Sequence, residues 1–281
     1  MIDLHSHILP GIDDGAPDLA TSLAMARMWV DQGVTCVACT PHILPGVYHN
    51  TGPAIRTSVD RLQTALLEAG IPLTLVTGAD NHVVPDFADG LRRGHLLSLA
   101  DTAYVLVEPP HHVAPTRIED FFFGLMVAGY HPILTHPERL TWIEQKYDIM
   151  ARLADAGVWM QITSGSIRGA FGRRPKYWAE RMLSEGRVHI LASDAHNTVH
   201  RRPDLAQGRD AAAQIVGPAE AERLVLHRPR GVLENLKKDA HPAPQQGRSS
   251  DPYRSGNDEG TRTSSDGDGS FGGRLRRFFG R

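Results

Sequence analysis

The sequence predicts an α/β fold in which parallel strands alternate with helices. It is expected to close as an irregular (β/α)7 TIM-like barrel followed by a disordered C-terminal tail. Three observations carry this. Short β-rich runs alternate with stretches of helical periodicity through most of the 281 residues, the pattern of a parallel sheet under an outer helical layer. Several of the runs are nearly all apolar, as strands buried on both faces must be. The alternation covers about 230 residues, the length at which such units close into a barrel, with a doubly wound open sheet as the alternative.

In order, strands are expected over 2–7, 34–40, 73–79, 103–108, 132–136, 159–164 and 189–194. Between the first two, Leu19, Leu23, Ala26 and Val30 recur at helical spacing, with Pro17 near the start and Gly33 at the end. After the second strand, Ile55, Val59, Leu62 and Leu66 form a stripe bounded by Pro53 and Gly70. Ile118, Phe122, Leu125 and Met126 form another, ending at Gly129. Gly157 and Gly186 mark later helix ends, and Pro175 a later start. Proline at a helix's first turn and glycine just past its last are the expected punctuation.

Hydrophobic residues make up 41% and charged residues 22% of the chain, ordinary values for a globular protein. A formal net charge of −2 supplies no basic field for nucleic acid. No apolar run reaches the roughly 18 residues of a membrane span, and the chain opens directly into Ile2-Asp3-Leu4-His5. A cytoplasmic protein is therefore expected. The two cysteines, Cys36 and Cys39, have redox-like spacing, but on one strand i and i+3 face opposite sides, so both are read as structural.

Composition changes near Asp239. Gly, Ser, Asp, Arg, Pro and Gln then dominate, with too little apolar surface to offset the entropy of ordering. The domain is accordingly placed at 1–238 and a disordered tail at 239–281. Only the tail's end, Leu275-Arg276-Arg277-Phe278-Phe279, has the basic and aromatic character to touch a membrane surface.

The chemistry is written at the strand ends. His5 and His7 close the first, and i, i+2 residues of a strand point to one face. Asp13-Asp14-Gly15 follows in the loop, and Thr40-Pro41-His42 closes the second strand. Asp80 and Glu108 close the third and fourth, His136-Pro137-Glu138-Arg139 follows the fifth, and Asp194-Ala195-His196 the last. In a barrel these ends converge on one mouth. His with Asp and Glu is the donor set of zinc, manganese or iron, so a site for several ions is expected. The ten remaining histidines, His49, His82, His111, His112 and His200 among them, receive no ligand role. Nucleotide-loop, zincin and serine-elbow motifs are absent, and neither cysteine has the arginine six residues on that a cysteine phosphatase uses.

His5-x-His7, Asp13-Asp14-Gly15, Thr40-Pro41-His42, Tyr48-x-Asn50, His136-Pro137-Glu138-Arg139 and Ser193-Asp194-Ala195-His196-Asn197 resemble the PHP (polymerase and histidinol phosphatase) superfamily. Within it they are most similar to the bacterial protein-tyrosine phosphatases of capsule and exopolysaccharide operons, over residues 1–236. The resemblance implies a PHP fold and three divalent ions, manganese first and iron or zinc as alternatives. It places His5, His7 and Asp194 on one ion, Glu108 and His136 on a second, Asp80 bridging these two, and Asp14, His42 and His196 on a third. It makes Arg139 and Arg201 the phosphate-binding arginines, with Arg202 the neighbouring alternative to Arg201. The family pattern has Glu where this chain has Asp80, which is shorter by one methylene. The implied activity is hydrolysis of phosphotyrosine on the tail of a capsule-pathway tyrosine kinase. Arg168, Arg173 and Arg174 could pair with further phosphates on such a tail, with a solvated basic loop as the alternative. A phosphatase of histidinol-phosphate type and a catalytically impaired kinase-binding regulator are the alternatives.

Overall fold

The computed structural model describes residues 1–247. Nine short strands form, seven of them in the expected places: β1 (Ile2–Asp3), β2 (Cys36–Cys39), β3 (His42–Ile43), β4 (Thr74–Thr77), β5 (Asp80–His82), β6 (Tyr104–Glu108), β7 (His131–Thr135), β8 (Trp159–Thr163) and β9 (Ile190–Ala192). β3 and β5 lie just past the second and third expected places. β1, β2 and β4 form one parallel sheet, and β3, β5, β6, β7, β8 and β9 a second. Further backbone bonds link the sheets, His7 N donating to Ala195 O (2.9 Å) and Asp194 N to His5 O (2.9 Å), while Thr40 N to Ser6 O (2.8 Å) and Asp80 N to Pro41 O (3.2 Å) extend the pairing within each sheet. The last strand is thus joined to the first, and the fold is the expected irregular barrel.

The outer layer consists of α1 (Leu19–Asp31), α2 (Gly52–Glu68), α3 (Phe87–Arg92), α4 (Ile118–Val127), α5 (Ile143–Asp155), α6 (Ser164–Ile167), α7 (Arg173–Ser184), α8 (Leu205–Val216), α9 (Pro218–Glu222) and α10 (Arg228–Leu233). Glycines 33, 70, 129, 157 and 186 lie in the left-handed region just past helix ends, where a side chain would be strained. α2 buries the expected Ile55, Val59, Leu62 and Leu66. α1 buries only part of the expected stripe, Ala26 fully and Leu23 and Val30 partly. Its core face is Ser22, Met25, Ala26 and Trp29, and Leu19 is exposed. Ser22 is accommodated because its hydroxyl donates to Ile8 O (2.6 Å), and Trp29 because its indole N–H donates to the buried Asp3 (2.9 Å).

Strand alternation divides the core in two. Ile2, Cys36, Ala38, Tyr104, Leu106, Ile133, Trp159 and Ile190 fill the barrel interior. Val37, Cys39, Val105, Val107, Leu134, Met160 and Leu191 pack outward among the helices. Cys36 and Cys39 therefore belong to different cores, both buried as free thiols. Residues 239–247, which composition assigns to the tail, contact the domain: His241 Nε2 is 3.1 Å from Tyr104 Oη, and Gly247 N donates to Ser184 O (3.0 Å). The rest of the expected tail, 248–281, lies outside the described residues. No helix among the described residues is long and apolar enough to cross a membrane.

Candidate metal centre

The C-terminal strand ends bring all nine expected ligands to one place. In parallel register His42 stands opposite Asp80, and partners in such a ladder carry their side chains on one face. His136 and Asp194, each following a strand, adopt left-handed backbone (φ 34° and 51°). Non-glycine residues hold that conformation at a cost of about 1–3 kcal/mol, which the surrounding structure must offset. Gly15 allows the Asp13-Asp14 loop to lie on the first strand, since a Cβ there would be 2.1 Å from His7 O.

Hydrogen bonds determine which imidazole nitrogen faces the centre. His5 Nδ1 is bonded to Gln161 Oε1 (2.8 Å), His7 Nδ1 to Asp13 Oδ2 (2.7 Å) and His196 Nδ1 to Asp194 O (3.0 Å). Each ring thereby turns Nε2 inward. His42 lies flat on Tyr48 (ring centroids 5.5 Å, 15° apart). Asn50 clamps its backbone, donating to His42 O (2.9 Å) and Ile12 O (3.0 Å). Tyr48-x-Asn50 thus positions a candidate ligand. Glu138, fully buried, accepts from Thr163 N (2.8 Å) and Ser166 Oγ (2.7 Å) and anchors the turn that carries His136 and Arg139.

The inward atoms are close without being hydrogen-bonded pairs. His5 Nε2 is 3.4 Å from Asp194 Oδ1 and 3.5 Å from Asp80 Oδ2, and His7 Nε2 is 3.3 Å from Asp194 Oδ1. His136 Nε2 is 3.6 Å from Glu108 Oε1 and 3.8 Å from Asp80 Oδ2. Asp14 Oδ1 is 3.6 Å from His42 Nε2 and 3.4 Å from His196 Nε2. Ligands bonded at about 2.1 Å to one ion stand about 3.0–3.5 Å apart, so this spacing suits shared cations. Both oxygens of Asp80, Glu108 Oε2, Asp194 Oδ1, His42 Nδ1 and His196 Nε2 are buried with no hydrogen-bond partner among the described residues. Uncompensated polar atoms of this kind are costly, and a divalent ion would satisfy them. The residues present fit a metal centre.

The electrostatics agree. Burial, with Glu108 beside it, pushes Asp80 up to about 7. Burial opposes charge on His7 as well, but Asp13 and Asp194 outweigh it and raise the ring to about 10. Burial and the neighbouring His7 lower His196 to about 4. A buried carboxylate that resists ionisation, as Asp80 does, marks a place where positive charge is wanted.

Arg139 and Arg201 converge on Asp194 Oδ2, Arg201 through Nη2 at 2.5 Å and Arg139 through Nη1. The Phe171 ring lies under both guanidiniums, at 4.8 and 5.9 Å. Arg202, the alternative, is exposed. A cavity of about 230 Å³ opens beside Arg201, lined by Phe171, Ser193, Val199 and His200. Arg168 and Arg173 are exposed, Arg168 paired with Asp204, while Arg174 is half-buried and donates to Leu140 O (2.9 Å).

Sequence reasoning missed the residues behind the ligands. Asp13 supports His7, Gln161 supports His5, and neither carries a signal beyond its place on the strand or loop. It also passed over His82 and His111, both of which reach Glu108. Asp80-x-His82 has the same one-face spacing as His5-x-His7, which was the available clue. His49, His112 and His200 are exposed.

The comparisons with known proteins accord with this geometry. Residues 1–234 match the model of the capsular polysaccharide synthesis family CpsB/CapC, and the chain belongs to that family. It is 40% identical over 201 residues to tyrosine-protein phosphatase YwqE of Bacillus subtilis, covering 72% of this chain and 79% of that protein. It is 28% identical to tyrosine-protein phosphatase CpsB of Streptococcus pneumoniae, covering 83% and 98%. Crystal structures of these two proteins describe them as unique metal-dependent tyrosine phosphatases. A chain from that work matches with a TM-score of 0.80 at 35% identity, over 84% of this chain and 96% of that one. A probable 2-pyrone-4,6-dicarboxylic acid hydrolase of Acinetobacter baumannii, 16% identical with a TM-score of 0.53 over 83% and 98%, shares the fold alone.

Proposed function

We propose that this protein is a metal-dependent protein-tyrosine phosphatase acting on the phosphotyrosine-bearing tail of a capsule-pathway tyrosine kinase in the cytoplasm. The observation that carries the reading is the convergence of Arg139 and Arg201 on Asp194, at the edge of a buried cluster of unpartnered imidazoles and carboxylates. Membership of the CpsB/CapC family and the likeness to YwqE and CpsB support it.

Three divalent ions, manganese first, would be held by His5, His7 and Asp194, by Glu108 and His136, and by Asp14, His42 and His196. Asp80 would serve the first two positions. Bound ions supply Lewis acidity, neutralising phosphoryl oxygens and acidifying water near neutral pH. The chain's own residues do the rest. Arg139 and Arg201 present planar guanidiniums, which fit phosphate oxygens bidentately and stabilise the charge that builds in the transition state. Phe171 holds both guanidinium planes from below. The cavity beside Arg201 offers an apolar and polar wall to an aryl leaving group. Tyr48 and Asn50 hold His42 in place.

The test is a manganese-loaded assay of the full chain against a phosphotyrosine peptide, a phosphoserine peptide and histidinol phosphate. Preference for the phosphotyrosine peptide is expected. Equal or better turnover of histidinol phosphate would replace the reading with a small-molecule phosphatase. Bound metal with no turnover of any aryl phosphate would favour a kinase-binding regulator.

A further inference from the structure

The strand register brings another imidazole into the metal centre. β5 lies between β3 and β6, with His42 opposite Asp80 and His82 opposite Glu108. Cross-strand partners share a face, and so do residues i and i+2, so His42, Asp80, His82 and Glu108 form one patch. Asn81 points the other way. Its amide donates to Ala79 O, Leu97 O and Leu106 O (2.9–3.1 Å), which locks the pleat and with it the direction of His82.

Within the patch the candidate donor atoms converge on one place. His82 Nε2 lies against Glu108 Oε2, yet that oxygen has no hydrogen bond among the described residues. His42 Nδ1, also without one, is 3.3 Å from the same oxygen. His42, His82 and Glu108 each offer an atom within 4.8 Å of the others. Asp80 stays on the floor of the site, fully buried with both oxygens unpartnered. Its short side chain ends there, 3.5–3.8 Å from nitrogens of His5, His42 and His136. His82, with 14% of its side chain exposed, stands on the rim above it.

We propose that His82 is a direct ligand of the ion held by Glu108, supplying through Nε2 a donor on the rim side that the short Asp80 carboxylate leaves open. The proposal rests on the reading of the cluster as a divalent-metal centre. His111 has a different part: its Nε2 makes a regular hydrogen bond to Glu108 Oε1 (2.9 Å), so it orients the carboxylate.

The direct test is the imidazole ¹⁵N spectrum of the full chain loaded with ¹¹³Cd²⁺. A one-bond cadmium–nitrogen coupling is expected at His82 Nε2 beside those of the other ligands. Couplings at His5, His7 and His136 without one at His82 would overturn the proposal and leave the metal centre standing. Couplings at none would overturn both. A second measurement uses His82→Gln, titrated with Mn²⁺ by calorimetry. One ion should bind at least about tenfold more weakly, and adding Asp80→Glu should recover part of the loss. Unchanged affinity for every ion in His82→Gln would overturn the proposal.

Discussion

Asp13 Oδ2 lies 2.7 Å from His7 Nδ1, on the side of the ring opposite Asp194. The two adjacent acids of the Asp13-Asp14-Gly15 turn therefore divide the work. Asp14 faces His42 and His196, while Asp13 also accepts from Gly15 N (2.9 Å) and His42 N (3.2 Å) and holds the turn against the strand. A carboxylate behind a ligating imidazole sets its tautomer and basicity. Asp13→Ala should weaken Mn²⁺ binding by about 10–100-fold while the fold persists. Titration calorimetry with circular dichroism on the same sample checks this, and unchanged affinity would remove Asp13 from the centre's support.

Arg139→Ala should lower kcat/KM for a phosphotyrosine peptide by about 10²–10³-fold, the loss expected when one donor to a developing anion is removed. Metal content should not change, because Arg139 touches Asp194 from outside the cluster. Arg139→Lys should recover only part of the rate, since an ammonium cannot reproduce the guanidinium fork or its stacking on Phe171. Elemental analysis alongside steady-state kinetics separates the two effects.

Asp80→Glu lengthens the central carboxylate by one methylene in a fully buried position whose oxygens have no partners. Metal occupancy after dialysis should be kept or raised. A fall in occupancy would mean that the site has adapted around the shorter side chain.

His189 provides a pH probe away from the centre. Its ring lies flat on Trp159 (17° between planes), and its Nδ1 accepts from Met160 N (3.2 Å). Burial, with Arg228 nearby, lowers it to about 3. A depressed histidine is neutral in the folded chain, while the unfolded chain takes up a proton near pH 6.5. Its contribution to stability is thus fully present above about pH 6.5 and is lost as pH falls toward 3. His189→Asn keeps an acceptor near Nδ1 without the titration. Urea unfolding at pH 7.5 and 4.5 should show a smaller acid loss in the variant than in the native chain, and equal losses would exclude this role.

Much of the fold and site was legible because its signals are local. The periodicity of Ile55, Val59, Leu62 and Leu66 predicts the buried face of α2, and residue types at strand ends predict a metal-type cluster. The face of α1 was read only in part, for an equally physical reason. Ser22 sits on its core face because a specific carbonyl, Ile8 O, receives its hydroxyl, and no hydropathy pattern records that partner. Arg201 and Arg202 are indistinguishable in sequence, and only the turn after β9 aims the first at Asp194 and leaves the second in solvent.

By itself the sequence determined the alternation of strands and helices, the candidate donor residues and their place at strand ends. These depend on the period of a strand or helix and on the chemistry of single side chains. Tertiary structure alone decided which nitrogen of each histidine turns inward, that Asp13 and Asp14 part company, and that His82 meets Glu108. Those outcomes depend on cross-strand register and barrel closure, which bring atoms from distant segments within a few ångströms, and no spacing along the chain encodes such distances.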